Sequence, residues 1–220
     1  MCFSSTASFV TAAATGVIGL LAVTRATSLR EAPLAATPIF FAVQQTLEGM
    51  LWLCPPAPLE GTLPGGLTLA YLIFAQAFWP LYAPVAVLLI EPDERRRRVM
   101  LPWAVLGAGV SAYLLWGLMT GPATAQVLGG HLVYETEHGY SLAVRLGYLA
   151  AVTLPLMLSS HRTVCILGIL VLIGAVMAYY FYSTAVLSVW CFFAAAASVV
   201  ILGHFELARR GRPSLAAATP

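Results

Sequence analysis

Apolar residues occur along the chain in runs long enough to cross a lipid bilayer as helices. Crossing a hydrocarbon core of about 30 Å takes about 20 apolar residues at about 1.5 Å each. The runs of this kind are Phe9–Thr24, Leu34–Leu53, Gly66–Ile90, Val99–Met119, Leu142–Leu158 and Thr163–Gly203. The pattern therefore predicts a polytopic bundle of transmembrane helices.

The last of these runs is too long for a single spanning helix. From Thr163 to Gly203 it would extend about 61 Å, twice the thickness of the hydrocarbon core. The aromatic cluster Tyr179–Tyr182, followed by Ser183 and Thr184, is a natural turn because tyrosine favours the lipid–water interface. We therefore expect an all-α fold of seven transmembrane helices, formed as a single domain by residues 1–210.

The basic residues favour the same number of helices. All eleven are arginine, and ten of them fall in alternate connections and in the tail: Arg25, Arg30, Arg95–Arg98, Arg162, Arg209, Arg210 and Arg212. Because cytoplasmic loops are enriched in basic residues, seven helices place the N-terminus outside and the C-terminus in the cytoplasm. The small, polar residues 211–220 are expected to form a disordered cytoplasmic tail.

The composition excludes several classes of function. Only 9% of the residues are charged and 60% are hydrophobic, whereas a soluble domain has about 25% charged residues. The absence of lysine excludes a retinal or pyridoxal Schiff base, which requires a side-chain primary amine. The arginines lie where a membrane protein needs anchors, so they predict contact with membrane lipids and not with nucleic acid.

One carboxylate falls inside a predicted span. Glu48 is five residues from the outer end of the second run, about 7–8 Å deep. Gln44 and Trp52, four residues before and after it, share its helix face, and Gln45 is adjacent to that face. Because a charge within hydrocarbon is costly, Glu48 is a candidate functional residue, and a catalytic role would be that of a general base.

The third run has an amide, Gln76, at about the same predicted depth as Gln44 on the Glu48 face of the second run. Gln76 is predicted at about 15 Å and Gln44 at about 13–14 Å from the outer ends of their helices. Trp79 follows, and Pro80 removes a backbone donor, which favours a kink. We expect these side chains to line a polar pocket that opens to the outside, although amides also serve as contacts between helices.

The loop before the fifth helix contains a set of metal-ligand residues. His131, Glu135 and His138 are spaced at i, i+4 and i+7, so a helical turn would place them on one face. Two imidazoles and a carboxylate can hold zinc or another transition metal, and Cys2 is a candidate fourth ligand. A solvated polar loop is the alternative, since Gly129, Gly130 and Gly139 bracket the segment.

Two further residues complete the expected pocket. Arg145 is the only arginine on the outer side, and pairing with Glu48, Glu135 or Glu137 would explain its position, as would snorkelling to lipid headgroups. Cys191 lies about 12 Å into the last helix and is a candidate pocket residue. Cys2 and Cys54 are both on the outer side, so a disulfide between them is an alternative to metal binding by Cys2.

Four segments carry a resemblance to a known family. They are MCFSSTASF at residues 1–9, FAVQQTLEGMLW at 41–52, FAQAFWP at 74–80 and SVWCFFAA at 188–195. With these segments the chain resembles a family of uncharacterised bacterial membrane proteins with seven helices. The resemblance implies the same architecture and a multi-pass location in the bacterial inner membrane, and it implies no reaction.

Three functions are compatible with these residues. The first is a pocket that binds a small ligand or metal ion, as in a metal-assisted hydrolase or a lipid-modifying enzyme. The second is a small transporter in which Glu48 couples the movement of protons or cations. The third is a non-catalytic subunit or assembly factor whose aromatic surfaces contact a membrane protein partner or a second copy of the chain.

Overall fold

The computed structural model describes residues 4–54, 65–136, 141–182 and 185–210. Within these ranges the chain forms seven helices and one β-hairpin. The helices are α1 (Ser5–Arg25), α2 (Ala32–Leu53), α3 (Gly65–Ile90), α4 (Glu94–Thr120), α5 (Leu142–Leu158), α6 (Arg162–Phe181) and α7 (Val186–Arg210). The strands β1 (Ala123–Leu128) and β2 (His131–Thr136) lie between α4 and α5.

The helices follow the apolar runs closely. In the described part of the chain α1, α3, α4, α6 and α7 are long and apolar enough to cross a membrane. Helix α2 has 22 residues but contains two glutamines and a glutamate, and α5 has 17 residues. The predicted division of the last run is confirmed, since α6 ends at Phe181 and α7 begins at Val186. The turn at 183–184 and the tail at 211–220 lie outside the described residues.

Helix α3 changes its winding at its centre. Residues Gly65–Leu72 and Trp79–Ile90 are α-helical, whereas Ile73–Phe78 form a π-helix. Pro80 has no N–H group, so it can donate to neither the carbonyl four residues before it nor that of Ala75, five residues before it. The proline therefore leaves backbone carbonyls of the π-helical segment available to other helices.

Hydroxyl groups of neighbouring helices bind two backbone carbonyls of the π-helical segment. Tyr148 of α5 donates to the Ala75 carbonyl at 2.7 Å. Ser111 of α4 donates to the carbonyl of Ala77. A buried carbonyl without a donor is costly, so both contacts stabilise the irregular segment and fix α4 and α5 against it.

The bundle has a central group of helices and two peripheral ones. A central cavity is surrounded by helices α2, α3, α5, α6 and α7. Helix α1 packs along α2 and also against α7, and α4 packs against α3 and α5. Close packing of α1 depends on Gly19, where a Cβ atom would lie 2.7 Å from the backbone nitrogen of Ile39.

The two ends of the bundle differ in charge. Arg25 of α1 forms a salt bridge with Glu206 of α7 at 2.6 Å, and Arg96 of α4 donates to the Leu158 carbonyl of α5 at 2.8 Å. These contacts bring the basic helix ends together. Of the ten arginines in the described ranges, nine lie at this end, which we call the arginine end, and Arg145 lies at the other.

The hairpin lies at the opposite end, which we call the hairpin end. Its two-residue turn uses Gly129 and Gly130, whose φ angles of 58° and 78° suit the tight turn of a hairpin. Ala125 and Leu132 are completely buried in a cluster with Leu51, at the end of α2. The prediction of an all-α fold is therefore wrong for this loop, because the double glycine directs the chain into paired strands.

Candidate functional site

Glu48 lies inside the protein and contacts the last helix. Its side chain is completely buried, five residues before the end of α2 at Leu53. Its Oε1 atom accepts a hydrogen bond from the Ser188 hydroxyl of α7. The contact links α2 to α7 at the level where the sequence predicts a functional carboxylate.

Gln44 has a fixed orientation on the same face of α2. Its Oε1 atom accepts a hydrogen bond from the indole Nε1 of Trp79 at 2.7 Å. An indole N–H can only donate, so the amide oxygen must face Trp79 and the amide nitrogen must face away from it. The Trp79 ring also stacks on Phe41, with ring centroids 4.0 Å apart. Gln44 thus presents a donor group in a defined direction.

Cys191 connects this group to the hairpin. Its thiol lies close to the side chains of Gln44, Glu48 and Tyr71. Tyr71 is completely buried and stacks on Tyr134 of β2, with ring centroids 4.5 Å apart. The hairpin therefore covers the polar cluster formed by Gln44, Glu48, Tyr71 and Cys191, which we call the Glu48 cluster.

Several buried polar atoms near this cluster have unused hydrogen-bonding capacity. Among the described residues, no hydrogen-bond partner is present for Gln44 Nε2, both amide atoms of Gln45, Trp52 Nε1, Ser8 Oγ and Thr68 Oγ1. Each such atom costs about 1–3 kcal/mol when it is removed from water without a partner. This concentration of unused polar groups is typical of a site that holds water or a ligand.

A cavity of about 70 Å³ extends from the Glu48 cluster along the axis of the bundle. Aromatic and aliphatic side chains form most of its wall, and Cys191 lies at its polar side. The lining residues are Thr37, Phe41, Trp79, Ala83, Tyr148, Val152, Leu156, Leu167, Val171, Trp190, Cys191, Ala194, Ser198 and Ile201. A mostly apolar cavity with a few convergent polar groups is the usual form of a small-molecule site.

The predicted metal-binding face is not formed. His131 and Glu135 lie on β2, where residues four apart are about 13 Å apart, so they cannot coordinate one ion. His131 is half-buried beside Tyr182, with ring centroids 5.6 Å apart, and Glu135 is exposed. Within the described residues no three histidine, cysteine or acidic side chains converge as a metal site. His138 and Cys2 lie outside those residues.

Three other predicted pocket residues lie in different surroundings. Gln76 is buried in the π-helical segment of α3, and Trp52 is half-buried one turn beyond Glu48. Arg145 is exposed and forms no salt bridge within the described part of the chain, so the suggested pairs with Glu48 and Glu135 are not formed, and Glu137 lies outside the described residues. The exposed position favours the alternative in which its guanidinium extends to the membrane surface.

Sequence reasoning missed two members of the site. Ser188, the partner of Glu48, lies three residues before Cys191 and therefore shares its helix face. That spacing was an available signal. Tyr71 carried no such signal, because only its stacking on Tyr134 of the hairpin and its position beside Cys191 reveal its role.

A second buried carboxylate fixes the helices at the arginine end. Glu91, at the end of α3, accepts hydrogen bonds from the Ser159 hydroxyl at 3.1 Å, from the Ser160 N–H at 2.8 Å and from the Ser160 hydroxyl. Desolvation raises the pKa of Glu91, but the hydrogen bonds from Ser160, Asp93 and Ser159 together lower it below its usual value of 4.5. The folded protein therefore stabilises the ionised form of Glu91 relative to its protonated form.

Glu91 predicts a loss of stability in acid. A carboxyl whose pKa is lowered by folding contributes stability that is complete above its pKa in the unfolded chain and is lost as the pH falls through its lower folded pKa. We expect the thermal unfolding temperature of the wild type to fall between about pH 6 and about pH 3.5, and that of Glu91→Gln to be lower at pH 6 and to change less. Glu94→Gln, at an exposed position, is the control and should keep the wild-type pH dependence. An equal acid response in Glu91→Gln and the wild type would contradict the assignment.

Comparison with known proteins gives one match. A family of unknown function (DUF6629) matches residues 1–218. No curated protein and no solved structure matches the chain significantly. Because the match covers almost the whole sequence, the chain is a member of this family of unknown function.

Proposed function

We propose that the chain is a multi-pass protein of the bacterial inner membrane that crosses it seven times. Five helices have the necessary length and apolar character, and α2 and α5 lie among them in one bundle. The concentration of arginine at one end supports a cytoplasmic location for that end. The N-terminus and the hairpin then face the periplasm, and the C-terminus faces the cytoplasm.

We further propose that the central cavity binds a small ligand with an apolar body and a polar end. The observation that supports this most directly is the position of the cavity, whose apolar wall reaches the Glu48 cluster at Cys191. In this arrangement the apolar part lies among Phe41, Trp79 and Trp190. The polar part lies at the Cys191 side of the cavity and points toward Gln44 and Glu48, and the Glu48 carboxylate is the group that can accept a proton there.

The size of the cavity limits the first probe to be used. A cavity of about 150 Å³ binds benzene, which has six non-hydrogen atoms, so one of about 70 Å³ takes a group of about three. Acetone is close to this size, with one more non-hydrogen atom, and combines two methyl groups with one carbonyl oxygen. It is therefore a suitable probe of both the apolar wall and the donor presented by Gln44.

Binding of acetone tests the proposal with a matched pair of variants. Ala194 lines the cavity, whereas Ala196 on the same helix is exposed. We expect saturation-transfer NMR in lipid nanodiscs to show saturable acetone binding to the wild type and to Ala196→Leu. Ala194→Leu should abolish binding, because the added carbons fill the cavity. Equal signals from all three proteins would show partition into lipid and would contradict the proposal.

A further inference from the structure

A second polar group lies near the arginine end of the same bundle. The His204 Nδ1 atom of α7 is 2.6 Å from the Thr163 hydroxyl of α6. The ring of His204 packs edge-on against that of His161, with centroids 5.0 Å apart. His161 Nε2 in turn is 3.2 Å from the Ile90 carbonyl at the end of α3. Two half-buried imidazoles thus join three helices close to the protein surface.

This histidine pair is aligned with the central cavity. A hollow beside His204 is lined by Leu34, Thr163, Val164, Leu167, Val200, Ile201 and His204. It shares Leu167 and Ile201 with the central cavity, whose other side reaches Cys191 beside Glu48. The hollow is too small for a water molecule, so Leu167 and Ile201 form an apolar constriction between the histidines and the cavity.

We propose that this line of groups is the route by which Glu48 exchanges protons with the arginine end, and that His204 is the entry group. A proton from bulk water binds the His161–His204 pair. The His204 imidazolium then releases it to water that enters the cavity when the side chains of Leu167 and Ile201 move apart, and this water passes the proton to a Glu48 carboxylate oxygen. The imidazole becomes neutral, the carboxylate becomes a carboxylic acid, and water reprotonates the histidine pair.

The surroundings of His204 suit the uptake of a single proton. Its ring is affected by the charges of His161 and of Glu31, which precedes α2. On its own helix Glu206 is held by Arg25 of α1, and Arg162 lies next to Thr163 on α6. Two imidazolium groups with ring centroids 5.0 Å apart would repel each other, so a proton on one ring opposes the binding of a second proton to the other.

The surroundings of Glu48 favour access from this side. Ser188 of α7 donates to its carboxylate, and among the described residues Cys191 of α7 and, beside that thiol, Tyr71 of α3 are titratable groups near it. Tyr71 is stacked beneath Tyr134, so the hairpin covers the opposite side. A proton from the arginine end can therefore reach this carboxylate past the histidine pair and through the cavity.

Infrared spectroscopy after a pH jump tests the route. The carbonyl stretch of a protonated Glu48 is assigned by its disappearance in Glu48→Gln, and its rate of appearance is measured in nanodiscs. We expect His204→Gln, which keeps a polar group beside Thr163 but does not titrate there, to slow this rate at least about tenfold. His161→Gln is the second variant and should also slow it.

His131→Gln is the matched control, because His131 lies on the hairpin at the other end of the bundle. In this variant we expect Glu48 to become protonated at the wild-type rate. The proposal is overturned if both His204→Gln and His161→Gln leave the rate unchanged, if His131→Gln slows it equally, or if no carboxyl band is lost in Glu48→Gln.

Discussion

Replacement of Gly107 by alanine is expected to destabilise the protein by about 3 kcal/mol or to prevent its folding. A Cβ atom at this position would lie 2.0 Å from the carbonyl oxygen of Pro80. That oxygen belongs to the backbone of α3, so it cannot move away as a flexible side chain can. Helices α3 and α4 would have to separate, and the Ser111 contact to the Ala77 carbonyl would be lost with them.

The close approach has a cause in the sequence of α3. Pro84 cannot donate to the Pro80 carbonyl four residues before it, and the absence of a side chain at Gly107 lets α4 pack against that free carbonyl. Gly109→Ala is the control, because nothing lies within 4 Å of its added Cβ atom. The stability of both variants is measured in detergent by heating each protein and using size-exclusion chromatography to determine how much folded protein remains. Equal stability of Gly107→Ala and Gly109→Ala would show that the helices do not approach as described.

Truncation of Leu132 to alanine is expected to release the hairpin from the bundle. Leu132 is completely buried, and removal of such a leucine side chain costs about 2–5 kcal/mol. A two-stranded hairpin is unstable by itself, so the loss affects the whole hairpin and uncovers Tyr71. We expect amide hydrogen exchange of β1 and β2 to increase at least about tenfold.

Leu128→Ala provides the matched control within the same hairpin. Leu128 pairs with His131 across the turn and is 51% exposed. Its truncation should leave amide exchange and the acetone binding of the cavity close to the wild type. If Leu132→Ala exchanges no faster than Leu128→Ala, the hairpin is held by contacts other than those of its buried leucine.

Most of the helical architecture could be predicted from the sequence because it depends on local properties. Runs of apolar residues fix the approximate bounds of all seven helices, and the aromatic cluster at 179–182 identifies the break between α6 and α7. The irregular winding of α3 was predictable only as a kink at Pro80. Its π-helical form depends on Tyr148 and Ser111, which come from two other helices.

The hairpin shows a misinterpreted local signal. As boundaries of a segment, Gly129 and Gly130 are compatible with a loop or a short helix, and in a helix the spacing of His131 and Glu135 predicts a metal site. Two glycines between two short segments containing valine and threonine also predict a hairpin turn. That interpretation places the two side chains too far apart for one ion, as the structure does.

The candidate site was predicted where it is formed by one helix face and missed where it depends on tertiary contacts. Gln44 and Glu48 share a face of α2, so their proximity follows from their spacing. The contact of Trp79 with Gln44 and that of Ser188 with Glu48 require the mutual positions of α2, α3 and α7. Spacing within a single helix carries no information about those positions.

The salt bridge between Arg25 and Glu206 has a consequence for the biosynthesis of the protein. The two residues are separated by 181 positions, and α7 also supplies Ser188 and Cys191. In the membrane-spanning arrangement proposed above, the first helices enter the lipid long before α7 leaves the ribosome. The hydrogen bond between Ser188 and Glu48 can therefore form only after the last helix has been synthesised. A chain that stops before α7 lacks the residues that complete the interior of the bundle.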